Sequence, residues 1–486
     1  MYHYGNSPPD VLPFVLQQAA AGARAQGGGA SAGGSGAAPR RAVFLGCGDL
    51  RNALALLRDA PDFTVVECVD MEAHIVARNV LVLHALLSAA AAAPVPTELL
   101  WQLWFCAALD AAARDAVEWR IGAVAAELSA GAGLAAELLP RPEDRGKVGR
   151  VLQYWLALVR GPSALSLATA QGLRTAYLSA VGAIKWSCDG SLAAYAEKSA
   201  TIAAEHIDPP SFNPFSMAAC KQYAETGTTH SAVAPNPTFF SDQGGAPAYV
   251  SSHSASPYLA FFPLLSERAR SAFESAGGPR GLLAFCKQQL EEMCAALIQK
   301  RPLMRLYVAD ARDFCKEEAR LASYDYAHTS NLADKELLGF DTVLRLGIPL
   351  LRSDAPSVLH TSSFDFEPRT FYNRPLARLG MLCDKLVDVR RAADVYGCTL
   401  FDIVRAPAAQ LRGFRGSPTR SAWVVAFHWV RAKACQACGK AGAPGAPLMQ
   451  CSECKAALYC SSGLCLSRDA CRRSHKGVCK LIKAAF

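Results

Sequence analysis

Residues 40–57 read RRAVFLGCGDLRNALALL and combine a strand, a tight turn and a helix. The apolar run Ala42–Leu45 is typical of a buried strand, and a helix begins near Asn52. Gly46 and Gly48 lie in the turn between them. A glycine turn at this place lets a ligand approach the backbone and the N-terminus of the helix. We therefore expect Gly46 and Gly48 to contact a bound cofactor, unless they serve only the geometry of the turn.

The segment that follows continues the alternation of strand and helix. Phe63–Val69 predicts a second buried strand that ends at Asp70, and residues 71–87 predict a helix. A β-α-β-α order favours a parallel sheet. Asp70 lies 22 residues after Gly48, close to the spacing of about 20 residues at which an acidic residue binds the ribose of a dinucleotide. Asp70 is therefore a third predicted cofactor-binding residue.

This beginning resembles that of class I S-adenosylmethionine methyltransferases, which have a Rossmann-like sheet. The resemblance implies that Asp70 contacts the ribose of S-adenosylmethionine. It also implies that Asp310, at the end of the predicted strand in RLYVADARDFC (305–315), lies beside the adenine. His328–Asn331 would then line the cleft at the end of another strand; alternatively, they cap the helix that begins near Leu332.

Three residues of the turn depart from the methyltransferase pattern. Phe44 stands where the family usually has an acid, and Leu50 stands where it usually has a third glycine. Asp49 adds a carboxylate that repels a carboxylate-bearing cofactor. Arg51 either offsets this charge or pairs with Asp49 structurally. These departures favour a domain that has lost its cofactor site, with a working methyltransferase as the alternative.

A second resemblance is carried by five patches of sequence: YGNSPPDVL (4–12), FLGCGDLRNAL (44–54), VDMEAHIVARNVL (69–81), NPTFF (236–240) and YDYAHTSNLADKELL (324–338). They resemble a domain of unknown function found in fungal MYND-finger proteins and in dynein axonemal assembly factor 3. The resemblance spans most of residues 1–430, in patches. It implies a methyltransferase-like sheet without established chemistry, and a role in the assembly of multi-subunit complexes such as axonemal dyneins.

The rest of the chain divides by composition. Strands are predicted in VLHTSS (358–363), TLFDIVRA (399–406) and AWVVAFHWVR (422–431), and the alternation in the last is typical of an antiparallel edge strand. Trp101 and Trp104 have helical spacing and are predicted core residues. The predicted segments are the N-terminal part of the α/β domain (1–18), a flexible Ala/Gly/Ser insertion (19–40), a first βαβα part (41–90), a helical insertion with a Pro-rich loop (91–300), a second Rossmann-like part (301–431) and a cysteine-rich module (435–479).

Cysteine is concentrated at the C-terminal end of the sequence. The chain has 18 cysteines in 486 residues, and eight of them fall in the last 52. They begin with C-x2-C, twelve residues and C-x2-C, and they end with H-x3-C at His475 and Cys479. Thiolates and imidazoles at this spacing are typical of closed, structural zinc sites with four ligands each. Disulfides are the alternative, which an intracellular location disfavours.

These residues resemble the MYND zinc finger over residues 435–479. The resemblance implies two interleaved zinc sites, with Cys435, Cys438, Cys460 and Cys465 at one ion and Cys451, Cys454, His475 and Cys479 at the other. Four residues separate Cys460 from Cys465 where the family usually has three, so Cys471 is an alternative to Cys465. Leu466 and Arg472 stand in the stretch where the family has the glutamine and tryptophan that bind proline-containing peptides, which argues against that mode of binding.

Most of the net charge of +8 lies in the same module. Residues 435–486 contain eight Lys or Arg and two Asp or Glu, a formal +6. Seven thiolates and two zinc ions reduce this to about +3, which does not favour nucleic acid as a partner. No apolar stretch reaches the roughly 20 residues of a spanning helix, and residues 1–10 have no secretory pattern. We therefore expect a cytoplasmic protein that binds no membrane, with the nucleus as the alternative location.

The expected fold class is α/β: a Rossmann-like, class I methyltransferase-like sheet with a large helical insertion, plus a small C-terminal two-zinc MYND module. The expected function is that of a zinc-binding scaffold, which holds two zinc ions and binds other proteins through the MYND module. No catalytic residue is predicted. The alternative function is an S-adenosylmethionine-dependent methyltransferase that acts on a protein substrate.

Overall fold

The structure is a computed structural model of the 486-residue chain. It describes residues 39–88, 95–160, 164–186, 188–206, 213–250, 257–258, 279–333, 337–352, 357–366, 398–404, 423–431, 449–450 and 458–459. The predicted N-terminal segment (1–18), nearly all of the predicted flexible insertion (19–40) and all eight predicted zinc ligands lie outside these residues.

The described elements alternate between strands and helices at both ends of a long helical region. The strands are β1 Arg40–Leu45, β2 Phe63–Asp70, β3 Ala108–Leu109, β4 Ala234–Pro235, β5 Phe240–Gln243, β6 Ala246–Tyr249, β7 Leu303–Val308, β8 Tyr326–His328, β9 Val358–Phe366, β10 Cys398–Val404, β11 Trp423–Arg431, β12 Met449–Gln450 and β13 Leu458–Tyr459. The helices are α1 Arg51–Asp59, α2 Ala73–Ser88, α3 Thr97–Phe105, α4 Ala111–Ala130, α5 Leu134–Leu138, α6 Pro142–Arg160, α7 Leu167–Trp186, α8 Leu192–His206, α9 Asn213–Thr226, α10 Pro279–Lys300, α11 Ala311–Cys315 and α12 Gly339–Leu350. Short 3-10 helices span Pro237–Phe239, Glu318–Arg320 and Ser330–Ala333.

Seven strands form one sheet in the order β10-β11-β9-β8-β1-β2-β7. Five of them, β7-β2-β1-β8-β9, are parallel, whereas β11 is antiparallel to both β9 and β10. Helix α1 follows β1 and helix α2 follows β2, so the predicted β-α-β-α order and the α/β class are confirmed. A parallel sheet whose strands are connected through helices is consistent with a Rossmann-like fold.

Strands β1 and β2 are apolar because parallel sheets are covered on both faces. The side chains of Val43, Phe44 and Leu45 are at most 2% exposed. Burying a side chain such as Phe44 contributes roughly 1.5–3 kcal/mol to folding. This continuous burial explains why the predicted strand appears in the sequence as an uninterrupted apolar run rather than as an alternating one.

Glu67 is a carboxylate in the middle of this buried strand. Its oxygens accept hydrogen bonds from Nη2 of Arg41 at 3.0 Å, Nη1 of Arg320 at 2.6 Å and the hydroxyl of Tyr324 at 2.5 Å. A buried charge is tolerated where partners of this kind replace water. The three donors therefore join β2 to β1 and to the segment that precedes β8.

Contacts divide the chain into two compact units. The first consists of Met1–Asp10, Gly48–Arg58 and Asp70–Val308, and the second of Val11–Cys47, Asp59–Val69 and Ala309–Phe486. The first unit contains α2 to α10 together with β7, and the second contains β1, β8 and β9. None of the described helices combines the length and the apolar character that crossing a membrane requires.

The first unit has an aromatic core around α3. Trp101, Trp104 and Phe105 are fully buried, and the rings of Trp104 and Phe105 stack with centroids 5.5 Å apart. The indole Nε1 of Trp101 donates to Oγ1 of Thr229 at 3.0 Å, so its polar atom is satisfied inside the protein. The prediction that Trp101 and Trp104 are core residues is confirmed.

Asn236 closes the C-terminal end of α3 from a distant part of the sequence. Its Nδ2 donates to the carbonyl oxygens of Gln102 at 3.1 Å, Leu103 at 3.2 Å and Cys106 at 2.8 Å. The last carbonyls of a helix have no partner within the helix. A buried side-chain amide therefore does here what a C-terminal cap or water does at an exposed helix end.

Two elements differ from the sequence predictions. Strand β11 is antiparallel as predicted, but β10 is the edge strand and β11 lies between β10 and β9. Alternation of apolar and polar residues indicates a strand whose two faces differ. Interior strands of an antiparallel sheet have this property as well as edge strands, so the pattern does not distinguish the two positions. Within the predicted Pro-rich loop, the chain forms α9 and the hairpin β5–β6, whose turn uses Gly244 and Gly245 at φ values of 67° and 91°.

Candidate functional site

The glycine turn after β1 adopts a backbone conformation that favours glycine. Gly46 and Gly48 have φ values of 60° and 58°, in the left-handed region. A Cβ atom at Gly46 would lie 2.9 Å from Cδ2 of Leu332, which is closer than real contacts allow. Gly46 is therefore required both by the backbone and by the approach of the Leu332 side chain. The space beside Gly46, where a ligand was expected, is occupied by an apolar residue of the protein.

Asp70 connects the end of β2 to the glycine turn. The backbone N–H of Gly48 donates to its Oδ2 at 2.9 Å, and the N–H of Glu72 donates to its Oδ1 at 3.0 Å. Nδ2 of Asn79 donates to the carbonyl of Gly48 at 3.0 Å. The sequence predicted that Gly48 and Asp70 both bind a cofactor, whereas in the structure they contact each other directly.

Burial dominates the electrostatics of Asp70. The side chain is buried, and loss of water raises the pKa of its carboxyl group to about 6, although the N–H groups of Glu72 and Gly48 oppose this shift. A carboxylate that is held by two backbone donors and shielded from water acts mainly as an internal anchor for the turn. Asn79 was not predicted as a residue of this site. The one signal in the sequence that could have identified it is its polar side chain within the apolar helix α2.

Asp49 and Arg51 form a buried ion pair within the turn. Nε of Arg51 lies 2.7 Å from Oδ2 of Asp49, and the backbone N–H of Arg51 donates to Oδ1 at 3.1 Å. Both side chains are 1% exposed. Arg51 therefore pairs with Asp49 inside the protein, which is the second of the two interpretations given for it above. The carboxylate of Asp49 accepts a backbone N–H of the first turn of α1, a position that suits the carboxylate or phosphate of a ligand in other folds.

Asp310, at the start of α11, also forms an ion pair with an arginine two residues later in the chain. Its carboxylate accepts the backbone N–H of Arg312 at 2.7 Å and forms an ion pair with Nη2 of Arg312 at 2.6 Å. The hydrogen bonds from the Arg312 side chain hold the pKa of the Asp310 carboxyl below its usual range. Asp310 is thus a helix cap with a cation beside it.

The segment His328–Asn331 follows the carboxyl end of β8. The backbone N–H of Ser330 donates to Nδ1 of His328 at 3.0 Å, and a 3-10 helix begins at Ser330. This contact agrees with the capping interpretation of the segment. Phe44, which stands where methyltransferases have an acid, packs against His328 with ring centroids 5.3 Å apart. The ring of His360 in β9, a residue that the sequence did not single out, stacks on that of His328 with centroids 4.5 Å apart.

The carboxylate of Asp70, the predicted ribose-binding group, is already engaged by the protein itself. Each of its oxygens accepts one backbone N–H and keeps a second lone pair, which is the acceptor that a ribose hydroxyl would use. The ion pair of Asp49 and Arg51 fills the turn with buried charge of the protein itself. The roles of Gly46, Gly48, Asp70 and Asp310 in cofactor binding stay predictions.

A short hairpin lies in the middle of the predicted zinc module. Met449 pairs with Tyr459 and Gln450 with Leu458, in an antiparallel ladder of β12 and β13. Residues 451–457 connect the two strands and include Cys451 and Cys454, whereas Cys460 directly follows β13. Among the residues that the structure describes, no three His, Cys, Asp or Glu side chains are grouped closely enough to hold a metal ion. The eight predicted ligands lie outside those residues.

Comparisons with known proteins give one match. No curated protein and no solved structure matches the chain. No family model of a MYND finger or of a methyltransferase matches it either. The chain is similar, over residues 16–109, to a family described as Domain of unknown function (DUF4470), and this range contains β1, the glycine turn, β2, α2 and α3.

Proposed function

We propose that this chain is a zinc-binding scaffold for protein assembly. In this proposal, the α/β part is a methyltransferase-like domain whose cofactor site has become structural, and residues 435–479 form a two-zinc MYND module that binds other proteins. The observation that carries the proposal is the buried ion pair of Asp49 and Arg51, which places a carboxylate of the protein itself at the first turn of α1.

The electrostatics of the glycine turn support the loss of cofactor binding. A phosphate or carboxylate that entered the turn would meet the carboxylate of Asp49, which already neutralises Arg51 at 2.7 Å. Breaking a buried ion pair by removing one partner costs about 3–5 kcal/mol, because the other charge stays buried. A ligand would have to compensate this cost before it gained any affinity.

The zinc module is supported by ligand chemistry and by the hairpin of β12 and β13. The ladder between Met449 and Tyr459 brings the chain before Cys451 next to the chain before Cys460. A C-x2-C pair in the sequence between two paired strands is typical of a zinc knuckle. Two closed sites leave no position for a substrate, so the proposed zinc ions stabilise a binding surface and do no chemistry.

The proposed setting is the assembly of multi-subunit complexes, such as axonemal dyneins, in the cytoplasm. It follows from the sequence resemblance to a domain shared with dynein axonemal assembly factor 3, and the match to a domain of unknown function over residues 16–109 agrees with that resemblance. A scaffold needs a rigid structure more than an open cleft. The buried polar contacts of the glycine turn make this part of the protein rigid.

A methyltransferase remains the second candidate, because Asp70 and Gly48 meet at the carboxyl end of a parallel strand. Ligands of open α/β sheets bind at the carboxyl ends of strands. For this candidate, a ribose hydroxyl would donate to the second lone pair of an Asp70 oxygen that also accepts the N–H of Gly48 or Glu72. At this position, the two candidate functions therefore differ in whether the carboxylate of Asp70 binds a ligand.

Calorimetry of the full chain with S-adenosylmethionine separates the two candidates. The scaffold proposal expects no heat of binding in well-folded protein. Micromolar binding that disappears in Asp70→Ala but persists in Asp313→Ala, an exposed acid, would establish the methyltransferase instead. Metal analysis of the same protein is expected to give zinc bound by thiolates, at about two ions per chain. Fewer than two ions would overturn the interleaved ligand assignment.

A further inference from the structure

Arg120 of α4 reaches across to the C-terminal end of α2. Its Nη1 lies 3.0 Å from Nδ1 of His84 and donates to the hydroxyl of Ser88 at 3.2 Å. Arginine has donors only, so Nδ1 of His84 accepts, and the proton of the ring is on Nε2, which donates to Oε1 of Glu127 at 3.1 Å. His84 is therefore neutral, and the guanidinium of Arg120 is held by neutral groups.

The acidic side chains of the helices around Arg120 are all paired with other groups. On α4, Asp115 pairs with Arg114, Glu118 with Arg160 and Glu127 with His84, and on α3, Glu98 pairs with Lys287. Helix α2 contains no acidic residue. Within the described part of the chain, Arg120 therefore has no ion pair. Burial lowers the pKa of its guanidinium, because no carboxylate compensates for the loss of water. The charge of Arg120 is thus available to an acidic group from outside.

A small apolar pocket lies beside the guanidinium of Arg120, which forms part of its wall. The rest of the wall consists of six apolar side chains of α2, α3 and α4: Leu81, Ala85, Leu99, Leu103, Ala116 and Val117. With its open mouth the pocket measures about 230 Å³, whereas pockets that enclose a drug-sized ligand measure roughly 300–1,000 Å³. Its size therefore suits one aliphatic side chain and not a whole ligand.

Trp119, the neighbour of Arg120 on α4, adds an exposed aromatic surface. Trp119 is 60% exposed, and the centroid of its ring lies 5.4 Å from Cζ of Arg120. Tryptophan and arginine are enriched among the residues that contribute most to binding between proteins. The indole of Trp119, the guanidinium of Arg120 and the apolar pocket together form one surface, here called the α4 patch.

We propose that the α4 patch binds the free C-terminus of a partner protein whose last residue is aliphatic. The guanidinium of Arg120 donates to the terminal carboxylate, and the pocket takes the side chain of the same residue. Both groups of a terminal residue are attached to one Cα atom, which suits a guanidinium that itself forms a wall of the pocket. An internal acidic residue carries its carboxylate on a different residue from the aliphatic side chain, and a long-chain fatty acid exceeds the pocket. The α4 patch depends neither on the cysteine-rich module nor on the glycine turn.

Calorimetry of the full chain with the peptide acetyl-Gly-Gly-Leu tests the proposal, and the amide of the same peptide is the matched control. We expect the free carboxylate to bind about 10–100-fold more tightly than the amide, because hydrogen bonds to a charged group are the stronger ones. Acetyl-Gly-Gly-Gly, which lacks the aliphatic side chain, is expected to bind more weakly than acetyl-Gly-Gly-Leu. Chelation of zinc should leave this binding unchanged, so the α4 patch and the zinc module are tested separately. Lack of binding at millimolar peptide, or equal binding of the peptide and its amide, would overturn the proposal.

Three variants then assign the groups. Arg120→Gln is expected to reduce the affinity for acetyl-Gly-Gly-Leu to that of the amide. Arg114→Gln, on the same helix and ion-paired with Asp115, should bind normally. The peptide is expected to change the tryptophan fluorescence of the wild-type protein, and Trp119→Phe should remove most of this change. Normal binding by a folded Arg120→Gln protein would contradict the proposal.

Other occupants of the α4 patch give different results in the same experiments. Octanoate that binds more tightly than the peptide would assign the patch to fatty acids. Self-association of the chain that Arg120→Gln abolishes would assign it to a second copy of this protein. Either result would overturn the proposal of a partner C-terminus.

Discussion

At the scale of single residues, the spacing of Gly48 and Asp70 predicted that both lie at one cofactor site, but it did not predict that they contact each other. A spacing of 22 residues places the end of β2 beside the turn, whatever the side chain does there. Whether Asp70 faces a ligand or the backbone depends on the directions of individual side chains. Leu332 beside Gly46 illustrates the same limit, since its approach depends on a residue 286 positions away.

Replacing Asp70 by alanine is expected to destabilise the protein by about 2–4 kcal/mol. The change removes the carboxylate acceptor from the buried N–H of Gly48 and from the part-buried N–H of Glu72, and the loss of a buried hydrogen bond costs about 1–3 kcal/mol. The matched control is Asp62→Ala, which removes an ion pair to Arg40 from a carboxylate that is 47% exposed. Surface pairs contribute about 0–1 kcal/mol. Urea unfolding measures both changes, and equal losses would contradict the anchoring role of Asp70.

The free energy of unfolding is expected to depend on pH through the buried side chain of His74. Burial and the charge of Arg78 lower its pKa from 6.5 to about 4 in the folded state. Between these values the unfolded chain binds a proton that the folded chain does not, so the free energy of unfolding decreases as the pH falls from 6.5 to 4. Asp70, whose pKa is raised to about 6, acts in the opposite direction, and its contribution decreases as the pH rises from about 4 to about 6.

Urea unfolding at several pH values separates these two effects. His74→Gln is expected to remove a loss of on the order of 3 kcal/mol between pH 6.5 and 4, which leaves the opposite contribution of Asp70 as the larger one. Asp313→Asn, at an exposed position, serves as the control. An unchanged slope in His74→Gln would mean that the buried imidazole is protonated in the folded protein.

At the scale of elements, helices and strands were predictable where a local pattern determines them. Ala42–Leu45 appears in the sequence as a buried run, and it is the buried part of β1. The edge position of β10 was not predictable, because alternation reports the two faces of a strand and not its neighbours. The end of α3 was not predictable either. Its carbonyls are satisfied by Asn236, which no pattern around α3 announces.

Asn236→Ala is therefore expected to weaken α3 selectively. The change removes the side-chain donor of the carbonyl groups of Leu103 and Cys106, at a cost of about 2–4 kcal/mol, whereas the carbonyl of Gln102 keeps the N–H of Cys106. Gln243→Ala, at the exposed end of β5, is the control. Hydrogen exchange should show faster exchange in α3 than in α6 of the variant. Uniform acceleration over the first unit would contradict a local capping role.

At the scale of the whole molecule, the parallel sheet was predictable from the order of its elements, but its strand order was not. Helices between strands require crossovers and thus parallel neighbours. The order β8-β1-β2 depends on pairing between residues that are far apart in the chain, which local patterns do not encode. Helices α3 to α10 lie between β2 and β7 in the chain, and the bounds of the predicted helical insertion (91–300) stay a prediction.

Removal of zinc is expected to affect one end of the molecule only. Chelation should unfold the module at residues 435–479, because so short a module has too little core to fold without metal. The sheet and helices, which are stabilised by apolar burial, should keep their far-ultraviolet circular dichroism. Limited proteolysis after chelation is expected to remove the C-terminal end first. Loss of the helical signal on chelation would instead show that metal supports the α/β part.

The position of β1 between β2 and β8 has a consequence for the synthesis of this protein. β2 follows β1 within 30 residues, but the backbone N–H of Arg41 donates to Asp325, 284 residues later. A ribosome that adds about 5–20 residues per second needs roughly 15–55 s to supply that partner. During this time, one edge of an apolar strand has no neighbour, which is a hazard for association with other chains. We expect the nascent chain to depend on chaperones until β8 emerges.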